Sequence, residues 1–202
     1  DGILLQPGQV FSFNDIVGPR TKKMGFKDAG VIVRGKIVPG IGGGICQVTS
    51  TIYNAVLMLD LNILERYNHS IYTSATSYVP IGFDAAVVWG YKDFRFVNNL
   101  SKTLLISARV AGNAIKISFF GQAPLGKSVQ LFCGEKRVRK QKTIIRRSRL
   151  LKPGEEKIVK KGTDGYIVTN LMRVTMPDGK SYSKVITTDR YLTYNTLIHK
   201  GN

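Results

Sequence analysis

The chain has 202 residues, 43% of them hydrophobic and 9% aromatic, enough apolar material for a buried core and too much for a disordered chain. Thirty Lys and Arg against 13 Asp and Glu give a formal net charge of +17, and residues 127–161 alone hold 13 basic and 3 acidic side chains. No apolar run approaches the ~18 residues of a transmembrane helix, and Asp1-Gly2-Ile3-Leu4-Leu5 has neither the basic nor the apolar region of a signal peptide.

Strand signals dominate in chain order. Val10-Phe11-Ser12-Phe13 alternates and ends at the turn or cap pair Asn14-Asp15; Val31–Val33 and Lys36–Val38 flank Arg34-Gly35 as a tight hairpin. Pro39-Gly40-Ile41-Gly42-Gly43-Gly44 forms a glycine loop. After it Ile45, Val48, Ile52, Ala55, Val56 and Leu59 recur at helical spacing, predicting one long amphipathic helix over about 45–60. Period two then returns, with strands expected at Asn62–Asn68, Asp84–Gly90, Phe94–Asn98, Thr103–Val110 and Ala114–Phe120, the last two joined at Gly112-Asn113. Turn signals at Lys152-Pro153-Gly154, Thr163-Asp164-Gly165 and Pro177-Asp178-Gly179 punctuate β-branched runs in the tail. The expected fold class is α+β, mostly antiparallel β with one main helix (about 45–60) carrying a cysteine at its N-terminus, plus a small all-β C-terminal module. A composition shift near Gly121-Gln122-Ala123-Pro124 divides the chain into residues 1–121 and 122–202.

The basic stretch around Lys136–Lys140 and Arg146–Arg149 presents a field suited to a polyanion, whether wall polymer, anionic lipid or nucleic acid, or else a solvated face. Nucleic acid is not expected, because Phe132 is the only ring between 127 and 161. Cys46 and Cys133 make neither a disulfide framework nor, with only His69 and His199 in the chain, a metal pattern. Cys133, within Val129–Cys133, reads as a small core residue of a strand, and His199 as part of a frayed tail.

Chemistry concentrates at Gly42-Gly43-Gly44-Ile45-Cys46-Gln47. Glycines ahead of a helix admit a ligand to the backbone and leave first-turn amides open. A thiol in that turn feels the positive end of the helix dipole, which favours the thiolate, and adjacent amides suit an oxyanion. A phosphate loop is disfavoured because Cys46-Gln47 stands where Lys-Ser/Thr would be needed. His69 is the candidate base and Asp84 the candidate acid, in the chain order of papain-like thiol enzymes. Taken singly, His69 also reads as a packed histidine and Asp84 as a turn-capping carboxylate.

Phe11-Ser12-Phe13-Asn14, Val17-Gly18-Pro19-Arg20-Thr21, the run from Val38 to Ala55, Asn68-His69-Ser70 and Tyr78–Ala85 together resemble the VanW family over roughly residues 3–121. The tail, with Gly154, Gly162, Gly165 and Gly179, is similar to the glycine-rich β modules that often follow that domain. The resemblance implies an extracytoplasmic cell-wall or cell-surface protein of Gram-positive bacteria, tethered to the membrane through an N-terminal segment preceding this chain. It maps the cysteine of L,D-transpeptidase members onto Cys46 and their histidine onto His69. The expected function is then a peptidoglycan L,D-transpeptidase forming 3-3 cross-links through a Cys46 thioester, with stem peptides as substrate and no metal or organic cofactor. Gly43, Gly44, Gln47 and Ser70 are assigned to oxyanion or substrate binding. Arg20 is assigned to a substrate carboxylate on guanidinium chemistry alone; a solvated surface position is the competing reading. Two alternatives stay open: a non-catalytic module binding peptidoglycan or wall polymers, and a Cys-dependent muropeptide hydrolase. The 127–161 stretch is expected to hold anionic wall polymers or the membrane surface.

Overall fold

The computed structural model describes residues 1–33, 36–122 and 126–202; the expected Arg34-Gly35 turn and the Ala123-Pro124 part of the expected boundary lie outside the described residues. Strand accounts for 47% of the chain and helix for 11%, in two helices, so the molecule leans to all-β and the α+β expectation with one main helix is corrected. The second helix arises at the expected Val10–Phe13 strand. There the Ser12 hydroxyl accepts the Asp15 N–H at 3.1 Å, capping a helix where alternation alone would extend the strand.

The N-terminal part runs β1 (Ile3–Leu5), β2 (Val10–Ser12), α1 (Phe13–Val17), a 3-10 turn (Lys22–Met24), β3 (Asp28–Val33), β4 (Lys36–Ile41), α2 (Ile45–Met58), β5 (Asn62–Glu65), β6 (Arg95–Val97), β7 (Leu104–Ala111) and β8 (Ala114–Phe120). These strands form two antiparallel three-stranded sheets, β1-β7-β8 and β2-β6-β5, and the β3-β4 hairpin. Pro39-Gly40-Ile41, expected in the glycine loop, belongs to β4. Leu5, Phe11, Phe13, Phe94, Phe96, Leu104 and Ile106 make a core onto which α2 lays Ile52, Tyr53, Val56 and Leu57. Phe11 stacks on Phe96 at 4.7 Å between ring centres.

The strand expected at Asp84–Gly90 is reduced to a single Val88–Lys92 bridge. Its polar groups are claimed elsewhere: Ser50 Oγ accepts the Ala85 N–H at 2.8 Å and Tyr67 O accepts the Ala86 N–H at 2.8 Å, while Asn54 Nδ2 donates to O of the preceding Phe83 at 2.7 Å. The segment is thus sewn to α2 by two helix side chains, which fixes Asp84 relative to the helix start.

Beyond residue 126 come β9 (Ser128–Arg139), β10 (Thr143–Ser148), β11 (Glu156–Lys160), β12 (Gly165–Thr175), β13 (Ser181–Tyr191) and β14 (Thr196–Gly201). The order β13-β12-β9 is antiparallel, whereas β14 lies between β10, parallel to it, and β11, antiparallel. His199 is therefore held in β14 and not frayed. Cys133 is exposed on β9, contrary to its expected place in a core: Val129 and Leu131 take the half-buried positions and cover ends before residue 133. Along β12, Val168, Asn170, Met172 and Val174 are buried, and Leu131 and Ile186 pack against the N-terminal core. Lys127 and Lys184 both pair with Asp60, at 2.7 and 2.6 Å, just past the end of α2.

Candidate active site

The glycine loop is shaped by close packing. A Cβ at Gly43 would meet Ala29 Cβ and Gly30 O at 2.6 Å, and Gly44 caps α2 at a left-handed φ of 87° that a side chain would strain. No side chain caps α2. Ile45 N–H donates to Gly42 O at 3.4 Å, and the N–H groups of Gln47 and Val48 donate to Gly44 O at 3.0 and 3.1 Å. The Cys46 N–H has no acceptor among the described residues. An open amide therefore stands beside the thiol at the positive end of a 14-residue helix.

Cys46 is half-buried and free, with Sγ 3.8 Å from Val87 O and the His69 side chain beside it on the same cleft. Burial works against the thiolate, but the neighbouring His69 imidazole, the Val87 backbone and the Arg20 charge bring the thiol below its ordinary value. His69 Nδ1 lies 2.6 Å from Asp84 Oδ2, which also accepts the His69 backbone N–H at 2.7 Å. With Nδ1 engaged by the carboxylate, Nε2 is the nitrogen left for sulfur. Burial alone would depress the imidazole, yet Asp84 and Cys46 push it up to about 9. The pair therefore favours imidazolium and thiolate together.

Asp84 is completely buried. Burial would raise its carboxyl, but hydrogen bonds from His69 and the Arg66 charge hold it below the usual range. Arg66, itself only 5% exposed, lies with Nη2 at 3.4 Å from Asp84 Oδ1 and donates from Nε to Asp84 O at 2.7 Å and from Nη1 to Asp189 Oδ1 at 2.6 Å. The Tyr191 hydroxyl donates to Asp84 Oδ1 and accepts the Gly82 N–H at 2.9 Å.

The structure thus brings Cys46, His69 and Asp84 together. Gly43, Gly44, Gln47 and Ser70 line a cleft of about 500 Å³ beside them, along with Tyr78, Val87, Val88 and Lys92. Arg20 stands apart from that cleft. Its Nη1 and Nη2 are buried without hydrogen-bond partners among the described residues, with the guanidinium 5.5 Å from the Phe13 ring centre and 5.8 Å from that of Trp89. Placed behind Gly42, it acts on Cys46 through charge and does not present its nitrogens to the cleft. Among the described residues no three of His, Cys, Asp and Glu converge to hold a metal.

Sequence reasoning missed Arg66, Asp189, Tyr191, Tyr78 and Lys92. A lone arginine directly after the Asn62–Glu65 run, three positions before His69, is the one local signal that was available; Asp189 and Tyr191 have none.

Over 120 residues the chain is 45% identical to the Uncharacterized protein YoaR of Bacillus subtilis (strain 168), covering 59% of this chain and 39% of that protein. Over 108 residues it is 30% identical to the Vancomycin B-type resistance protein VanW of Enterococcus faecalis (strain ATCC 700802 / V583), covering 52% of this chain and 39% of that one. The chain thus spans about two fifths of the length of these curated relatives. Among solved structures, the G5 domain of HP0197 matches with a TM-score of 0.23 and 20% identity, over 37% of this chain and 97% of its own. An IgA1 protease G5 domain matches with a TM-score of 0.28 and 12% identity, over 38% and 92%. Similarity this low carries no weight for fold or function. Residues 1–120, more than half of the chain, match the family described as VanW like protein, and the chain belongs to that family.

Proposed function

We propose that this chain is a cell-wall acyltransferase of the extracytoplasmic surface, an L,D-transpeptidase that joins peptidoglycan stem peptides through a thioester on Cys46. The carrying observation is the Asp84 Oδ2–His69 Nδ1 pair at 2.6 Å facing the same cleft as the Cys46 thiol at an open helix start. A relative named for vancomycin resistance supports the cell wall as the setting.

The Cys46 thiolate attacks the carbonyl between the third residue and the terminal D-alanine of a donor tetrapeptide. The Cys46 N–H, with the adjoining loop, meets the developing oxyanion. As the C–N bond breaks, the imidazolium of His69 protonates the departing amine, leaving a thioester and a neutral imidazole. The imidazole then takes a proton from the incoming side-chain amine of a second stem. That amine forms the new amide and the thiolate leaves. Gln47, Ser70 and Lys92 stand along the cleft to receive the peptide, while Arg20 stabilises the thiolate by charge. Water in place of the amine would make the same site a hydrolase, a difference read from the product.

Incubation with a tetrapeptide-stem muropeptide is expected to give an acyl adduct on Cys46 by intact mass, free D-alanine and a cross-linked dimer, with Cys46→Ala giving none of the three. Stem-peptide binding by wild type without D-alanine release overturns the enzyme and leaves a binding module. D-alanine release without dimer makes it a hydrolase.

A second reading concerns the C-terminal strands. Arg146, Arg147 and Arg149 are exposed and have no carboxylate within ion-pair distance among the described residues, which supports a surface that attracts phosphate-bearing wall polymers or anionic lipid.

A further inference from the structure

The acid arm of the site is built from both ends of the chain. Asp84 Oδ1 is engaged by Tyr191 and lies 3.4 Å from Arg66 Nη2, and Arg66 is in turn paired with Asp189. Both Tyr191 and Asp189 lie on β13. The histidine loop is tied to the same strand end: Leu192 N–H donates to Ser70 O at 2.7 Å, and Asn68 Nδ2 donates to Arg190 O at 3.0 Å. Tyr191 is 2% exposed, and its ring meets Tyr72 edge-on at 5.7 Å, so the phenol has little freedom to turn. Gly82 lies against Asn170 of β12 so closely that a Cβ would fall 1.7 Å from Asn170 Nδ2. Six contacts from β12–β13 and the residue after it thus converge on the connection between β5 and β6 that carries His69 and Asp84.

We propose that the end of β13 is a working part of the site, with Tyr191 as the positioning residue that locks Asp84 so that its Oδ2 stays on His69 Nδ1. This rests on the Cys46–His69–Asp84 reading above and extends it to the C-terminal module, which acts as a clamp on the relay. A free carboxylate can rotate about its Cβ–Cγ bond. One held at Oδ1 by a phenol, itself anchored on the Gly82 N–H, presents its other oxygen in one direction only.

The test uses the full chain with Cys133→Ser as background, because Cys133 is also exposed. Two readouts report the relay regardless of substrate: the rate of iodoacetamide alkylation of Cys46 at neutral pH, and the downfield proton resonance of a histidine Nδ1–H held on a carboxylate. Tyr191→Phe is expected to slow alkylation about tenfold, the scale of one hydrogen bond to a charged group, and to broaden or abolish the resonance. Asn68→Ala, which cuts the link to Arg190 together with a bond from the same Nδ2 to His69 O at 2.9 Å, is expected to move both in the same direction by less. Tyr182→Phe, which removes a hydroxyl from the exposed start of β13, is expected to move neither. A Tyr191→Phe protein that melts with the wild type and keeps both signals overturns the proposal. Should that variant not fold, Asn68→Ala with both signals intact overturns it. A wild type that shows both signals but cross-links nothing overturns the transpeptidase reading alone.

Discussion

Cys46 and His69 titrate as a pair, and the pH dependence of the chemistry follows from their directions. The thiol is displaced downward and the imidazole upward to about 9. Acylation needs thiolate, so its rate is expected to rise with pH through an inflection below that of an ordinary cysteine. It also needs a protonated His69 for the leaving amine, so it is expected to fall again near pH 9 as that proton is lost. A bell with these two limbs, measured as acylation rate against pH, is the expected profile. His69→Gln is expected to erase the falling limb and return the rising one toward the ordinary thiol range. At this scale the meeting of Cys46, His69 and Asp84 was legible in the sequence: a glycine run before a helical period singles out a thiol at a helix start, and two histidines leave little choice of neighbour for it. Arg66, Asp189 and Tyr191 were not, since hydrogen bonds spanning 123 and 107 positions leave no local pattern.

Elements tell a different story. The helix over Ile45–Met58 was legible because its apolar residues recur at three and four, and the Gly112 hairpin because its flanks alternate. Asp84–Gly90 alternates equally well but forms no strand, because Ser50, Arg66 and Tyr67 satisfy its backbone from the side. Periodicity reports which residues face inward, not what their amides bond to. Gly82 sits where this segment meets β12. Its φ of 84° and the nearby Asn170 side chain leave no room for a methyl group. Gly82→Ala is therefore expected to lower stability by about 2 kcal/mol or more, read by denaturant unfolding. Asn170→Ala in the same chain is expected to recover part of that loss, a coupling that a double-mutant cycle would isolate.

Across the whole molecule, charge and chemistry occupy different regions. Cys46 and His69 face a cleft whose lining carries one further cation, Lys92, while the 13 basic residues of 127–161 ride mostly on exposed strands and turns. Binding to anionic vesicles or a polyphosphate polymer is expected to weaken steadily with added salt. Neutralising Arg146, Arg147 and Arg149 to Gln is expected to cost about a hundredfold at low salt, at about 1 kcal/mol per basic side chain. Cys46 acylation by a soluble stem peptide is expected to be unchanged in that variant. The charge segregation was legible by counting along the sequence. The joining of the two halves was not, because it rests on Tyr191, Arg66 and Asn170 meeting partners that only the folded chain brings near.

The bond between Tyr191 and Asp84 also sets an order of events in the life of the chain. A ribosome has translated Cys46, His69 and Asp84 long before it reaches Tyr191, so a growing polypeptide carries every reactive atom while lacking the latch. On the proposed role of Tyr191, its sulfur is expected to stay comparatively sluggish until the last strands fold back, sparing a nascent or clipped chain from reacting with whatever electrophile it meets first.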